Sequence, residues 1–273
     1  MIGAMAAPIE PRIKRPPNSR RRTGAAIASI VFASITLVAG KRAYDYAAAP
    51  AREKDCDFVF PETAASPPTA TAPRAVDHPV AFAQRGGTIN DASCLNKPAI
   101  HGIVRVSSIE EVRNALRFAR ERHLKVTSAG QRHSMGAQSF TRNGLMLDMR
   151  GLDSMSLDKE RRLLTVQAGA TWEKVQHYLD KDGFAVKAMQ SINIFTVGGT
   201  LSVNAHGIAH SPGPIAPTVR SIRVMLSNGQ IKTASAGENP ELFRHALGGY
   251  GLFGVILDAE IEVVANEMYL WDT

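Results

Sequence analysis

The sequence predicts an α+β fold, and three observations carry that prediction. Between Gly102 and Val264, strand-like and helix-like runs interleave without strict alternation, which argues against a doubly wound parallel sheet. Asn228-Gly229 separates two β-prone runs and signals an antiparallel hairpin rather than a crossover. The stretch from Leu252 to Val264 alternates as one long strand.

The elements follow in order. Ile103-Val104-Arg105-Val106 reads as a strand, and Ser108 caps a helix in which Glu111 completes a capping box. Ile109, Val112, Leu116 and Ala119 recur at helical spacing and form its apolar stripe. Leu124-Lys125-Val126 is a short strand, and Leu145 to Met149 and Leu163 to Val166 are two more. Thr171 caps a second helix with Trp172, Val175, Tyr178 and Leu179 on one face. Ser221–Leu226 and Gln230–Ala234 are the hairpin arms. Asn239-Pro240-Glu241 opens a helix through Leu247, which Gly248-Gly249 ends.

The N-terminal third has a different character. The formal charge of +7 over 273 residues suggests nucleic acid until it is located. Residues 1–42 hold eight basic residues and one acidic one, so the remainder balances at 24 of each sign. The basicity belongs to the tail, and nucleic-acid binding is not expected. Thr23 to Gly40 are eighteen uncharged residues with an apolar run through Ile27, Ile30, Val31, Phe32, Ile35, Leu37 and Val38, short for a bilayer span. Six basic residues precede them, which puts the N-terminus in the cytoplasm and the large domain on the non-cytoplasmic, periplasmic side of a single-pass anchor. A cleaved export signal and a buried core helix are the competing readings. Ala47-x-Ala49 suits a peptidase although Pro50 would follow the cut, and Ser19-Arg20-Arg21-Arg22 resembles a twin-arginine signal with Thr23-Gly24 replacing the usual bulky pair. From Ala47 to about Pro79 the chain is rich in Ala, Thr and Pro and reads as an extended linker. The two cysteines, Cys56 and Cys94, could pair beyond a membrane. No Cys/His cluster suggests a metal site.

Two loops carry the chemistry. Val126-Thr127-Ser128-Ala129-Gly130-Gln131-Arg132-His133-Ser134-Met135-Gly136 offers backbone N–H groups, hydroxyls and a guanidinium in one turn, a nest that suits a pyrophosphate. Thr196-Val197-Gly198-Gly199-Thr200-Leu201-Ser202-Val203-Asn204-Ala205-His206-Gly207 allows close backbone approach, with a spacing that is neither the dinucleotide nor the P-loop fingerprint. Singly, each is equally well an ordinary turn. Together they suggest one large phosphate-bearing cofactor.

These loops, with Ala168-Gly169-Ala170-Thr171-Trp172 and Gly248-Gly249-Tyr250-Gly251-Leu252-Phe253-Gly254-Val255-Ile256, resemble the vanillyl-alcohol oxidase family, whose flavin-binding unit is the PCMH-type FAD domain. The likeness is greatest to the sugar-alcohol and aldonolactone oxidases and the decaprenylphosphoryl-ribose oxidases. It implies a domain of two α+β subdomains with FAD between them over residues 97–264, preceded by a basic tail (1–22), a transmembrane anchor or signal (23–40) and a linker with its lead-in (41–96). It also implies that Thr127, Ser128, Ala129, Gly130, Gln131, Arg132, His133 and Ser134 wrap the FAD pyrophosphate. Ser191, Thr196, Val197, Gly198, Gly199, Val203, Asn204, Ala205 and His206 would line the rest of the cofactor, and Ile256 would touch it from the last strand. His133 matches the position where many members bond histidine to the flavin 8α carbon, a hydrogen bond to FAD or solvent being the alternative. For Arg132 a plain surface arginine, and for His206 a structural histidine, are the competing roles, and His210 falls outside the match.

The family continues well past the end of this chain into a cap domain that shapes the substrate pocket. Residues 265–273 are therefore expected to be its truncated start, and no catalytic base is named. The resemblance implies an FAD-linked oxidoreductase acting on a CH–OH group of a sugar, polyol or lactone, with oxygen or a quinone as electron acceptor. The alternatives are an electron-transfer flavin subunit, as in the medium subunits of molybdenum hydroxylases, and an inactive FAD-binding remnant.

Overall fold

The computed structural model describes residues 80–208, 211 and 213–267. The basic tail, the apolar stretch 23–40, the linker through Pro79, His210 and residues 268–273 lie outside them. Among the described residues no helix is long and apolar enough to cross a membrane.

The first lobe is a four-stranded sheet in the order β1 (Phe82–Arg85), β2 (Gly102–Arg105), β4 (Leu145–Asp148), β3 (Val126–Ala129). β2 and β3 each run parallel to β4, and β1 pairs antiparallel with β2. The sequence assigned β1 to the lead-in before 97. Four residues ending in Gln84-Arg85 carry little strand signal, and this strand is placed by its neighbours, with Phe82 packed edge-on against Phe118 at 5.5 Å between ring centroids. The helix α1 (Ile109–Glu121) buries Val112, Ala115, Leu116, Phe118 and Ala119, whereas Ile109 stays half-buried. Ser108 accepts from the Glu111 N–H at 3.2 Å, as a cap should. The return arm reaches one residue further than expected, because Glu111 Oε2 takes the N–H of Ser107 at 2.6 Å and its hydroxyl at 2.9 Å.

The second lobe is an antiparallel sheet in the order β5 (Met155–Asp158), β6 (Leu163–Gln167), β10 (Val255–Ala265), β8 (Val219–Met225), β9 (Ile231–Ser235), with β7 (Phe184–Val186) pairing the far end of β10. Asn228-Gly229 turns β8 into β9, Gly229 at φ +84 and Leu226 N–H bonded to Gln230 O at 2.8 Å. Three helices pack here: α2 (Trp172–Asp180), α3 (Val197–Val203) and α4 (Pro240–Ala246). Thr171 caps α2, whose Trp172, Val175 and Leu179 are fully buried. A buried side chain of this size stabilises by about 1.5–3 kcal/mol.

β10 belongs to both lobes. Val255 and Leu257 pack with Val104, Leu145 and Leu147 in the first core. Ile256, Ala259 and Ile261 join Leu164, Trp172 and Leu201 in the second. The period of two sets Val255 and Leu257 against Ile256, and the register shift between Ile256 and Asp258 then turns Ala259 and Ile261 to the side of Ile256.

Candidate functional site

The two glycine-bearing stretches meet in space. Gly130 lies against Thr196 so closely that a β-carbon on it would stand 2.1 Å from the threonine Oγ1. Between and beside them opens a cavity of about 290 Å³. Thirteen of the expected residues line it: Ser128, Ala129, Gly130, Gln131, Arg132, His133, Ser134, Thr196, Gly198, Gly199, Val203, Ala205 and Ile256.

The first stretch is not wholly loop, since Val126–Ala129 is strand β3 and only then does the chain turn across the sheet end. The turn runs through Arg132, Met135 and Ala137, all with left-handed backbone at φ 58, 56 and 60. Asp91, fully buried, sits under it. One carboxylate oxygen accepts from the Ser134 hydroxyl at 2.9 Å, the Gly136 N–H at 3.0 Å and the Ala137 N–H. The other accepts from Ser93 N–H at 3.0 Å and its hydroxyl at 2.5 Å. Burial pushes the Asp91 carboxyl up, but the hydrogen bonds from Ser93, Ala137 and Ser134 outweigh it and hold the group below its ordinary value. The amides of Gly136 and Ala137, read from sequence as part of an anion nest, are therefore occupied by an internal anion. Cys94, three residues on, is disulfide-bonded, while Cys56 lies outside the described residues.

The second stretch is a helix, which corrects the expectation of a loop. Thr196 caps α3 by accepting from Gly199 N–H at 3.3 Å. Two glycines in a first turn disfavour a helix by about 1 kcal/mol each. Tertiary contacts override that cost: Val197 and Leu201 are fully buried, and Trp172 Nε1 donates to Thr200 Oγ1 at 2.7 Å, which donates to Gln190 Oε1 at 2.8 Å. Burial also removes Val197 from the expected lining, its side chain being in the core and its N–H bonded to Ala170 O at 2.8 Å. Asn204 adopts left-handed backbone at the helix end, and its Oδ1 accepts from Ala216 N–H at 3.0 Å, a structural task away from the cavity. His206 is exposed, bridges to Pro214 and does not line the cavity. Nor do Ser191, which is exposed, and Thr127, whose residue lies mid-strand in β3.

The lining also contains residues that the sequence did not assign to the cofactor, several of them within the quoted motifs. Gln138 and Ser139 extend the first turn, and Met149 and Ala168 add apolar surface. Phe195 stands 4.7 Å from the His133 ring, centroid to centroid. Thr200 and Ser202 come from α3, and Tyr250, Gly251 and Gly254 from a third glycine-rich loop. That loop is tied to α3, with Gly248 and Tyr250 N–H groups bonded to Leu201 O and Ser202 O, each at 2.9 Å. Its glycine punctuation matched the other two stretches and was the signal available for it. Among the described residues no group of three or more His, Cys, Asp or Glu is gathered as a metal site.

The residues fit a large dinucleotide. Gly130, Gly198 and Gly199 put bare backbone into the lining, the first two also letting Thr196 and Ala168 pack close, hydroxyls and a guanidinium are at hand, and Met149, Ala168 and Ile256 offer apolar surface for a flat ring.

The pattern of the FAD binding domain family matches residues 100–235. L-gulonolactone oxidase of Bos taurus is 30% identical over 159 residues, 58% of this chain and 36% of the relative. Decaprenylphosphoryl-beta-D-ribose oxidase of Mycolicibacterium smegmatis is 32% identical over 174 residues, 62% of this chain and 38% of that one. Cytokinin dehydrogenase 2 of Arabidopsis thaliana is 30% identical over 163 residues, 59% and 32% of the two chains. The chain thus spans about a third of the length of the curated relatives it matches.

Proposed function

Because this chain carries an FAD-binding domain of the PCMH type, we propose that it is the flavin-holding part of an oxidoreductase that converts a CH–OH group of a sugar, polyol or lactone to C=O. The observation that carries the reading is the convergence of the Gly130 turn, the Gly198-Gly199 helix start and the Tyr250–Gly254 loop on one cavity. Two of the relatives, named for a gulonolactone and a decaprenylphosphoryl ribose, support the substrate class.

When bound, FAD supplies the hydride acceptor of the reaction. The protein's part is to bind and orient it. Gly130, Gln131, Arg132 and Ser134 are assigned to the pyrophosphate, where main-chain amides and a guanidinium suit its charge, the Ser134 hydroxyl proton being committed to Asp91. Gly198, Gly199, Val203 and Ala205 line its path from α3, and Ile256 packs from β10. His133, held beside Phe195, is the residue proposed to form the covalent link to the flavin. Oxygen or a quinone is the proposed acceptor for the electrons.

The apolar stretch 23–40 is proposed to anchor the chain in a membrane with the domain on the periplasmic side, or to direct its export. The disulfide at Cys94 supports an oxidising compartment.

The test is flavin content. Purified protein, or refolded protein given FAD, must show flavin absorbance, and its absence overturns the reading. Flavin fluorescence that stays with the acid-precipitated polypeptide of the wild type but not with that of His133→Ala supports the covalent link, and release of the flavin into the supernatant from the wild type overturns that part. Resistance of the full chain to carbonate extraction tests the anchor.

A further inference from the structure

We propose that Asp91 is a positioning residue for the cofactor, its ionised carboxylate holding the Gly130–Ala137 turn in its binding shape before FAD arrives. This rests on the FAD reading above.

Three non-glycine residues of the turn, Arg132, Met135 and Ala137, have left-handed backbone. Each such residue costs about 1–2 kcal/mol, so the turn persists only where its surroundings over-determine it. The bonds that hold it centre on one side chain. Asp91 takes the Ser134 hydroxyl and the Gly136 and Ala137 amides on one oxygen and two Ser93 donors on the other. Every partner is a donor. A carboxylate satisfies them all, whereas a carboxamide or a protonated acid would point a hydrogen at groups that also present hydrogens. The segment carrying Asp91 is fastened to the same turn a second time, Ala92 N–H bonding Arg132 O at 2.9 Å and Asn96 Nδ2 bonding Gly136 O at 3.3 Å.

The arrangement divides the turn into two anion sites. The Gly136 end is filled by the protein's own carboxylate, which leaves the Gly130–Ser134 end, facing the cavity, for the phosphates. Asp91 therefore acts through geometry and touches no cofactor.

Asp91→Asn, of equal volume, is the test, made in the full chain. If the binding-competent turn falls to about a tenth of the population, the dissociation constant for FAD rises about tenfold. In the flavin-free protein, hydrogen exchange should quicken at the Gly136 and Ala137 amides while the amides of β10 keep their protection, a split that general destabilisation would not give. Affinity for ADP, which carries the diphosphate without the ring, should fall with that for FAD. Ser134→Ala, which keeps the charge and removes one donor, should shift both readouts in the same direction by less, and it serves if the Asn variant does not fold. Unchanged FAD affinity and unchanged exchange at Gly136 and Ala137 would overturn the proposal. A wild type that binds no FAD would instead overturn the proposed function, and the exchange comparison would still report on the turn.

Discussion

The two stretches that frame the cavity are built from the same small residues and owe their shape to opposite forces. The Gly130 turn is held by a buried charge and the donors around it, with strained backbone at Arg132, Met135 and Ala137. The Thr196–Val203 segment has ordinary helical backbone, anchored by Val197 and Leu201 in the core and by the neutral chain Trp172–Thr200–Gln190 beneath it. One wall is electrostatic and the other is packed. The difference teaches that glycine-rich composition marks where backbone must come close to something, and says nothing of what keeps it there.

The comparison is broken most severely by Trp172→Ala, which removes a fully buried ring and the donor to Thr200. A loss of about 3–5 kcal/mol is expected in denaturant titration, with α3 amides exchanging faster than those of the Gly130 turn. Gly130→Val is next. Its β-carbon has no room beside Thr196, and overpacking costs about 1–3 kcal/mol while forcing the two walls apart. Isothermal titration should show FAD binding lost beyond what the fall in melting temperature explains. Thr200→Val sharpens the contrast, since it keeps the shape but leaves Trp172 Nε1 and Gln190 Oε1 without their partner. About 1–3 kcal/mol should be lost from the packed wall, with exchange in the Gly130 turn unaltered.

Acid separates the walls by charge. Asp91 and Asp148 are both held below the ordinary 3.8, Asp148 because the Arg150 and Arg105 guanidinium groups outweigh its burial. A depressed carboxyl contributes stability that is whole above the unfolded value and is lost as pH falls through the folded one. Stability should therefore decline below about pH 3.8, and Asp148→Asn should flatten that decline in urea midpoints measured against pH. The smallest effect expected is from Ser108→Ala, remote from both walls, at about 1 kcal/mol with unchanged FAD affinity.

Local chemistry was legible in the sequence. Ser108 and Thr171 cap the helices expected of them, Asn228-Gly229 turns the expected hairpin, and the buried faces of α1 and α2 fall largely where the helical spacing put them. What escaped depends on distant partners. The Val197–Val203 helix follows from a core contact that outweighs two glycines, and β1 follows from β2. Asp91 bonds residues more than forty positions away and looks in the sequence like any turn aspartate. Val197 and Asn204 sit among true lining residues, yet one faces the core and the other closes a helix. Small-residue spacing cannot tell which way a neighbour points.

β10 sets how the cleft can move. Val255 and Leu257 are rooted in one core and Ile256, Ala259 and Ile261 in the other, so any movement of one lobe against the other has to bend this strand or disturb a core. The glycine-rich loop that lines the cleft with Tyr250 also carries its exposed side chains, Tyr250 at 56%, Leu252 at 84% and Phe253 at 43%.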